Sequence, residues 1–435
     1  MDVVHGGSGR RRVARRATMG LIDQSVSSLT NFGVGLVLAR TVSARDFGVF
    51  SIVIATYTIL VGLGRALNVE AFTARLSWSS QDSWAGGVRS ATGATLVVGC
   101  VAGLGMILLG LRSSVVLSGP LVALGFTLPG LLLQDAWRHA FFAQGRGSKA
   151  LINDLSWAGL LLAGFGLLLA AGKGGITWLV LAWGIAATGA AFIGIFQSSV
   201  VPHMGHSVSW WKEHQDLAGR YFAEFLAMTG ALQLSYYVVA AFEGLHATGA
   251  LRGAQLLLGP FNVLFMAAGL VAVPEAIKAR KAGTSILRPC LFLSLALASS
   301  ALMWGFLVRS FPDALGIALL GSSWAGAQAV VFPWATAMAG LGVWVGALTG
   351  LRAVAAAKAS LRAQLLVSPM ILIGAAMGVA VGGAVSAAWG LSAAFWIGGV
   401  IWWRTLLKAP WDAGTAAELA PPEMTTGALE HLDTL

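Results

Sequence analysis

The residues of this 435-residue chain best suited to chemistry are a few ionisable groups set among apolar ones. Asp23 lies beside Gln24, Ser25, Ser27, Ser28, Thr30 and Asn31, and Glu224 is followed by Thr229, Gln233, Ser235, Tyr236 and Tyr237. A carboxylate among amides and hydroxyls can bind a cation or exchange a proton, and such groups inside hydrocarbon face a bundle interior or a water-filled cavity. Asp23, Ser27, Thr30 and Asn31 follow at steps of four, three and one, near one helical face. Glu224, Met228, Gln233 and Tyr237 drift similarly around one side of theirs. The two helices are therefore expected to face each other across a cleft, with Asp23, Glu224, Gln233 and Gln255 on its wall. A plainer reading leaves both acids at headgroup level near the helix ends.

Arginine suits two-pronged contact with phosphate, so Arg65, Arg138, Arg146 and Arg252 are candidates for an anionic ligand. Snorkelling also accounts for Arg65, Arg75, Arg138 and Arg146, which lie near span ends. Arg252 differs. It is just within a span on the opposite side, followed by Gln255, Pro260 and Asn262, and a cation at that depth is expected to turn into a cavity. The chain has no HExxH, GxSxG, P-loop or paired Asp-rich loops, so no enzyme is expected. His203, His206 and His214 lack a Cys partner, and Cys100 and Cys290 read as small apolar fillers. Neither a metal nor a cofactor is implied.

The elements that must position these groups are membrane helices. Hydrophobic residues make up 57% and charged residues 11% of the chain, with a mean hydropathy of +0.78, whereas soluble domains carry roughly 25% charged residues. Runs such as 155–171 and 176–201 are apolar on every face and long enough to cross a bilayer, which takes about 20 residues. Twelve spans are expected, near 17–39, 47–67, 88–111, 116–135, 151–171 and 178–201, then 222–242, 250–273, 290–307, 327–350, 365–381 and 384–403. The opening arginines imitate a secretory signal, but the first span is too polar for one.

The formal charge of +10 raises the question of nucleic acid. Placement answers it. With a cytoplasmic amino terminus, only Arg40, Arg45, Arg112, Lys173, Arg252 and Arg309 of the 28 basic residues fall outside. The positive-inside rule then puts both termini in the cytoplasm, and the opening arginine block and the loop with Lys278, Arg280, Lys281 and Arg288 can lie against anionic headgroups.

Two six-helix lobes are expected at 17–201 and 221–403, with a basic tail at 1–16, a connection at 202–220 and a polar tail at 404–435. The connection, with Trp210, Trp211, Lys212, Glu213 and His214, suits an interfacial helix. Sliding the second half back without gaps superposes Asp23 on Glu224, Ser28 on Thr229, Gly48 on Gly249 and Phe50 on Leu251. That predicts a parallel internal repeat about an axis along the membrane normal. Gly99, Gly103 and Gly110 should let helices approach closely, and Pro129, Pro260 and Pro333 interrupt apolar spans.

The run NFGVGLVLARTVSARDFGVFSIVIATYTILVGLGRAL (31–67) resembles the opening of bacterial O-antigen and teichoic acid flippase-like proteins. These are the polysaccharide branch of the multidrug/oligosaccharidyl-lipid/polysaccharide (MOP) exporters, which include the multidrug and toxin extruders (MATE). LLLQDAWRHAFFAQGRGSKALINDLSW (131–157), ATGALRGAQLLLGPFNVLF (247–265), VAVPEA (271–276) and LLGSSWAGAQAVVFP (319–333) are similar to the same proteins. The resemblance implies an all-α bundle of two lobes that moves a polyprenyl-pyrophosphate-linked oligosaccharide across the cytoplasmic membrane by alternating access. It makes Arg65, Arg138, Arg146 and Arg252 headgroup candidates, and Asp23 and Glu224 ion-coupling candidates. The implied partners are the lipid-linked oligosaccharide, membrane lipids, and glycosyltransferases or a polymerase of the same pathway. The rivals are a cation-coupled multidrug antiporter, a peptidoglycan-precursor flippase and, in a different class, a membrane-bound glycan polymerase or acyltransferase.

Overall fold

A computed structural model describes residues 28–76 and 81–409, and these are helical nearly throughout, with no strand among them. Asp23, the tail at 1–16 and residues 410–435 lie outside the described residues, as do the side chains of Arg75, Met228 and Asn262.

Residues 28–41 form α1. A tight turn leads to α2 (Ala44–Gly64), a π-helical turn (Arg65–Val69) and α3 (Glu70–Leu76). The turn explains the Ser-Ala-Arg-Asp sequence. Ser43 caps α2 by accepting from the Asp46 amide at 3.1 Å, while its hydroxyl donates to the Asp46 carboxylate at 2.8 Å. The first half continues with α4 (Gln81–Arg112), α5 (Val115–Ala143), α6 (Gly147–Ala170) and α7 (Ile176–Ser198). The second comprises α8 (Ser207–Phe225), a π turn (Leu226–Gly230), α9 (Ala231–Leu257), α10 (Pro260–Lys281), α11 (Leu287–Arg309), α12 (Asp313–Leu320), α13 (Trp324–Ala353), α14 (Ala357–Val381) and α15 (Gly383–Leu407).

Among the described residues, nine helical stretches are long and apolar enough to cross a membrane. Three further expected spans fall on α1, on the α8–α9 run and on α9 with α10, which are shorter in the described residues or more polar. Leu162, Leu167, Phe196, Phe292 and Met377 point outward and exposed from such helices. A lipid surround explains that, because water would not tolerate so large an apolar face.

Helix packing repeats between the halves. In the first, α5 packs on α4 and α7, and α6 on α7; in the second, α13 packs on α11 and α15, and α14 on α15. Gly48 and Gly249, equated by the sequence register, lie against one another, and a Cβ on Gly249 would sit 3.1 Å from the Gly48 amide nitrogen. The α4–α5 contact is equally close: a Cβ on Gly99 would approach the Pro129 backbone to 2.7 Å.

Helix α9 is a hairpin. Its backbone reverses at Gly244, with φ 77° and ψ −177°, a conformation that favours glycine. Tyr236 and Gln255 meet across the reversal. Two differences from the sequence pattern follow from polar residues that find partners inside the protein. Helix α5 does not stop at Asp135 but runs on to Ala143, because its charged side chains pair with other helices. Helix α8 passes through the π turn into α9 without a break, and its tryptophans face protein: Trp210 is buried, and the Trp211 indole donates to Asn68 Oδ1 at 2.9 Å.

Candidate functional site

Helices α2 and α9 meet along the seam between the halves. At one end Gly48 packs on the Leu245 carbonyl and Gly249 on Ala44. In the middle, the hydroxyls of Thr56 and Tyr237 share a 2.5 Å hydrogen bond. Toward the other end, Gly62 receives the ring of Phe225. Two cavities flank this line of contact.

The central cavity, about 230 Å³, is lined by residues of both halves, including Asn31, Phe50, Tyr57, Trp183 and Arg252. Arg252 is the one charged group on that wall among the described residues. Its guanidinium donates to Gln255 Oε1 at 2.7 Å, and the Tyr236 hydroxyl donates to the same oxygen at 2.6 Å. Both partners are neutral, so the positive charge of Arg252 is steered but not cancelled. Tyr57 and Trp183 meet edge to face at 4.8 Å, giving the wall an aromatic side.

The second cavity, about 280 Å³, opens at the Arg65 end and is lined by Gly62, Arg65, Ala66, Glu70, Tyr221, Glu224, Phe225 and Thr229. Arg65 begins the α2 π turn, and Thr229 lies in the π turn before α9, so both walls are built at irregular backbone. Single π turns recur at functional sites because they re-aim side chains within a helix. The second one is supported from α14. The carbonyl of Ala227 accepts from Gln364 Nε2 at 2.6 Å and from the Ser368 hydroxyl at 2.5 Å.

Arg65 is committed to a partner. Its Nε donates to Asp135 Oδ2 at 2.7 Å and its Nη2 to Asp135 Oδ1 at 2.5 Å. The Arg65 side chain keeps 35% of its surface, so the cavity still reaches it, whereas Asp135 is buried. Behind this pair, Arg138 Nε contacts Asp154 Oδ2 at 3.1 Å. Gln134 donates to Asp154 Oδ1 at 2.9 Å, and Asn153 donates to the Ala190 carbonyl and to Gln197 Oε1. Lys149 reaches the Gln197 carbonyl. The interior of the first half thus holds two buried carboxylates, each answered by an arginine.

The expected site residues therefore separate. Arg252, Gln255 and Tyr236 form one cluster at the central cavity. Arg65, Glu224 and Thr229 share the second cavity. Arg138 turns into the first half, Arg146 is exposed at the α5–α6 turn, and Gln233 is buried with its side-chain oxygen unbonded, on the wall of neither cavity. Sequence reasoning missed Asp135, His139 and Asp154. The signal was present: an acid, an arginine and a histidine at i, i+3 and i+4 in a helical run, and an Asn-Asp pair in the next, both among apolar residues.

No protein-family model matches the sequence, and no curated protein does either. Solved structures do match over most of the chain. Lipid II flippase MurJ in an inward closed conformation aligns at 14% identity with a TM-score of 0.69, over 89% of this chain and 87% of MurJ. The chain has the fold of the MOP-superfamily transporters. An inward-facing multidrug resistance MATE family transporter aligns at 10% identity and TM-score 0.63, over 88% of this chain and 94% of that one. A MOP superfamily transporter from Pyrococcus furiosus, described as having a binding pocket of reverse polarity, aligns at 12% identity and TM-score 0.54, covering 92% and 96%.

Proposed function

We propose that the chain is a flippase or exporter that moves a polyprenyl-pyrophosphate-linked glycan across the cytoplasmic membrane by alternating access, with both termini in the cytoplasm. The observation that carries this reading is the uncancelled charge of Arg252 on the aromatic wall of the central cavity. A lone guanidinium there attracts an anionic headgroup and repels an organic cation, because electrostatics act at full strength away from water. The distribution of basic residues makes the Arg65 end cytoplasmic. The Gly48 seam then closes the outer end, and the Arg65 cavity is the inner vestibule. At about 230 Å³ the central cavity is smaller than the ~300–1,000 Å³ of pockets that enclose drug-sized ligands, so it suits a headgroup and leaves the glycan elsewhere.

The test is transport of a short-chain polyprenyl-pyrophosphate glycan by protein reconstituted into vesicles. Native protein moves it, Arg252→Gln at equal density does not, and equal rates would defeat the reading. A multidrug antiporter is the second reading, and Glu70 and Glu224 on the vestibule wall favour a cation there. Movement of a lipophilic cationic dye in the same vesicles, without movement of the anionic lipid, would establish that alternative.

A further inference from the structure

We propose that a third cavity, between α12 and α13, is a sugar-binding subsite on the outer face that takes neutral or amino-sugar units of the glycan. The inference rests on the reading of the chain as a glycan flippase and says where the glycan itself is met. The cavity measures about 420 Å³, larger than the central one and within the ~300–1,000 Å³ of pockets that take small organic ligands.

Its polar groups are positioned but unspent. Asp313 opens α12 and Trp324 opens α13. The Trp324 ring is buried against Gly316, and its indole donates to Asp313 Oδ1 at 2.9 Å. That bond aims the carboxylate and leaves Oδ2 without a partner among the described residues. The Ser322 hydroxyl and the Gln328 amide, on the same wall, likewise bond to no described residue. A carboxylate accepts, and a hydroxyl and an amide both donate and accept, so the wall offers both kinds of partner to a ligand rich in hydroxyls. Ile317 and Ala325 add apolar surface for the carbon faces of a sugar ring. The one charge on the wall is negative, which disfavours a phosphate, whether of the glycan's headgroup or of a bilayer lipid. A simple organic cation would suit Asp313 but would give Ser322 and Gln328 nothing to bond.

The position of this cavity relative to Arg252 lets one ligand reach both. The turn between α12 and α13 packs on α2 and α9, the helices of the seam, and Gly321 in that turn sits against the Arg40 and Ala39 carbonyls. The second arm of α9 presents Arg252 to the central cavity and Gly253 to Leu320 and Ala327. One helix, ~10–12 Å across, therefore lies between the two sites, a gap that a chain of a few sugars spans. On the orientation proposed above, Asp313 lies at the outer face, so the subsite meets sugar that emerges as the Gly48 seam opens.

The experiment uses lipid-free oligosaccharides. Full-length protein in a sugar-free detergent, lauryldimethylamine oxide, is applied to an array of neutral and amino-sugar bacterial oligosaccharides, and the sugar held best becomes the probe. We expect Gln328→Ala, which breaks no internal hydrogen bond, to bind the probe roughly tenfold more weakly, the worth of one or two hydrogen bonds. Place is read separately. In a Cys100→Ala background, a cysteine replacing Ala325 should be labelled by a maleimide several-fold more slowly when the probe is saturating. Retention of no oligosaccharide by the native protein, unchanged affinity in Gln328→Ala, or labelling at position 325 unaffected by the probe each overturns the proposal. The vesicle assay keeps this failure distinct from that of the flippase reading: lipid-linked glycan moved there without binding on the array sinks the subsite alone, and dye moved in place of the lipid sinks the reading on which it rests.

Discussion

Arg65 and Asp135, 70 positions apart in sequence, are joined by two hydrogen bonds of 2.7 and 2.5 Å that tie the π turn after α2 to the middle of α5. The pair makes a Gln substitution at Arg65 a test of stability as well as function. Removing the arginine strands a buried carboxylate, which costs about 3–5 kcal/mol, whereas removing both charges is often close to neutral. We expect Arg65→Gln and Asp135→Asn each to lower the melting temperature in detergent and the double variant to recover most of the loss. Additive losses would show that the two side chains act independently.

Arg252 is predicted to behave differently, because its hydrogen-bonded partner, Gln255, is uncharged. Arg252→Gln should leave melting nearly unchanged while weakening binding of an anionic pyrophosphate lipid by roughly ten- to 150-fold, the value of a charge-assisted contact of ~1.5–3 kcal/mol. Arg252→Lys should fall between, since an ammonium cannot offer a planar fork. Titration with the lipid, followed by intrinsic tryptophan fluorescence, measures the binding, and thermal melting in detergent measures the stability.

The sequence made the membrane helices and the register linking Gly48 to Gly249 legible, because each rests on local pattern: apolar length and a gap-free correspondence of residues. It made Arg65 legible as a residue but not as an ion pair. Asp135 sits where the apolar run stops, which reads as a span end, and only the packing of α5 against the π turn shows that the helix continues with its charges inward. The π turns were hidden for the same reason: Ala227 has no distinguishing side chain, and its carbonyl is satisfied by Gln364 and Ser368, over 130 positions away. Long-range polar partners leave no periodic trace.

Thr229 lines the vestibule and marks its side of the membrane. After Cys100→Ala removes the exposed native thiol on α4, Thr229→Cys is expected to react with a membrane-impermeant maleimide added from the cytoplasmic side only. Labelling in inside-out and right-side-out vesicles measures this. Exclusive reaction from the outer side would invert the orientation inferred from the basic residues.

On the orientation proposed above, Gly48 is the position where the outer seam is most sensitive to a single methyl group. A Cβ there would overlap the carbonyl oxygen of Leu245, and the backbone of α9 cannot rotate aside as a side chain would. Gly249 across the seam also packs on backbone, where a Cβ would sit 2.5 Å from the Ala44 carbonyl oxygen, so neither helix can give way alone. Within each half, by contrast, the helix neighbours of α5 and α13 are unaffected, and the lobes should remain folded. Gly48→Ala is therefore predicted to wedge the outer seam open while melting changes little, since the cost falls on one conformation and not on the fold. The reporter is a cysteine in place of Val34, which lines the central cavity close to that seam. In a Cys100→Ala background it should be slow to label from outside with native Gly48 and several-fold faster in the Gly48→Ala variant, about one kcal/mol in the opening equilibrium. Equal labelling rates would mean that the contact between Gly48 and Leu245 does not hold the outer end shut.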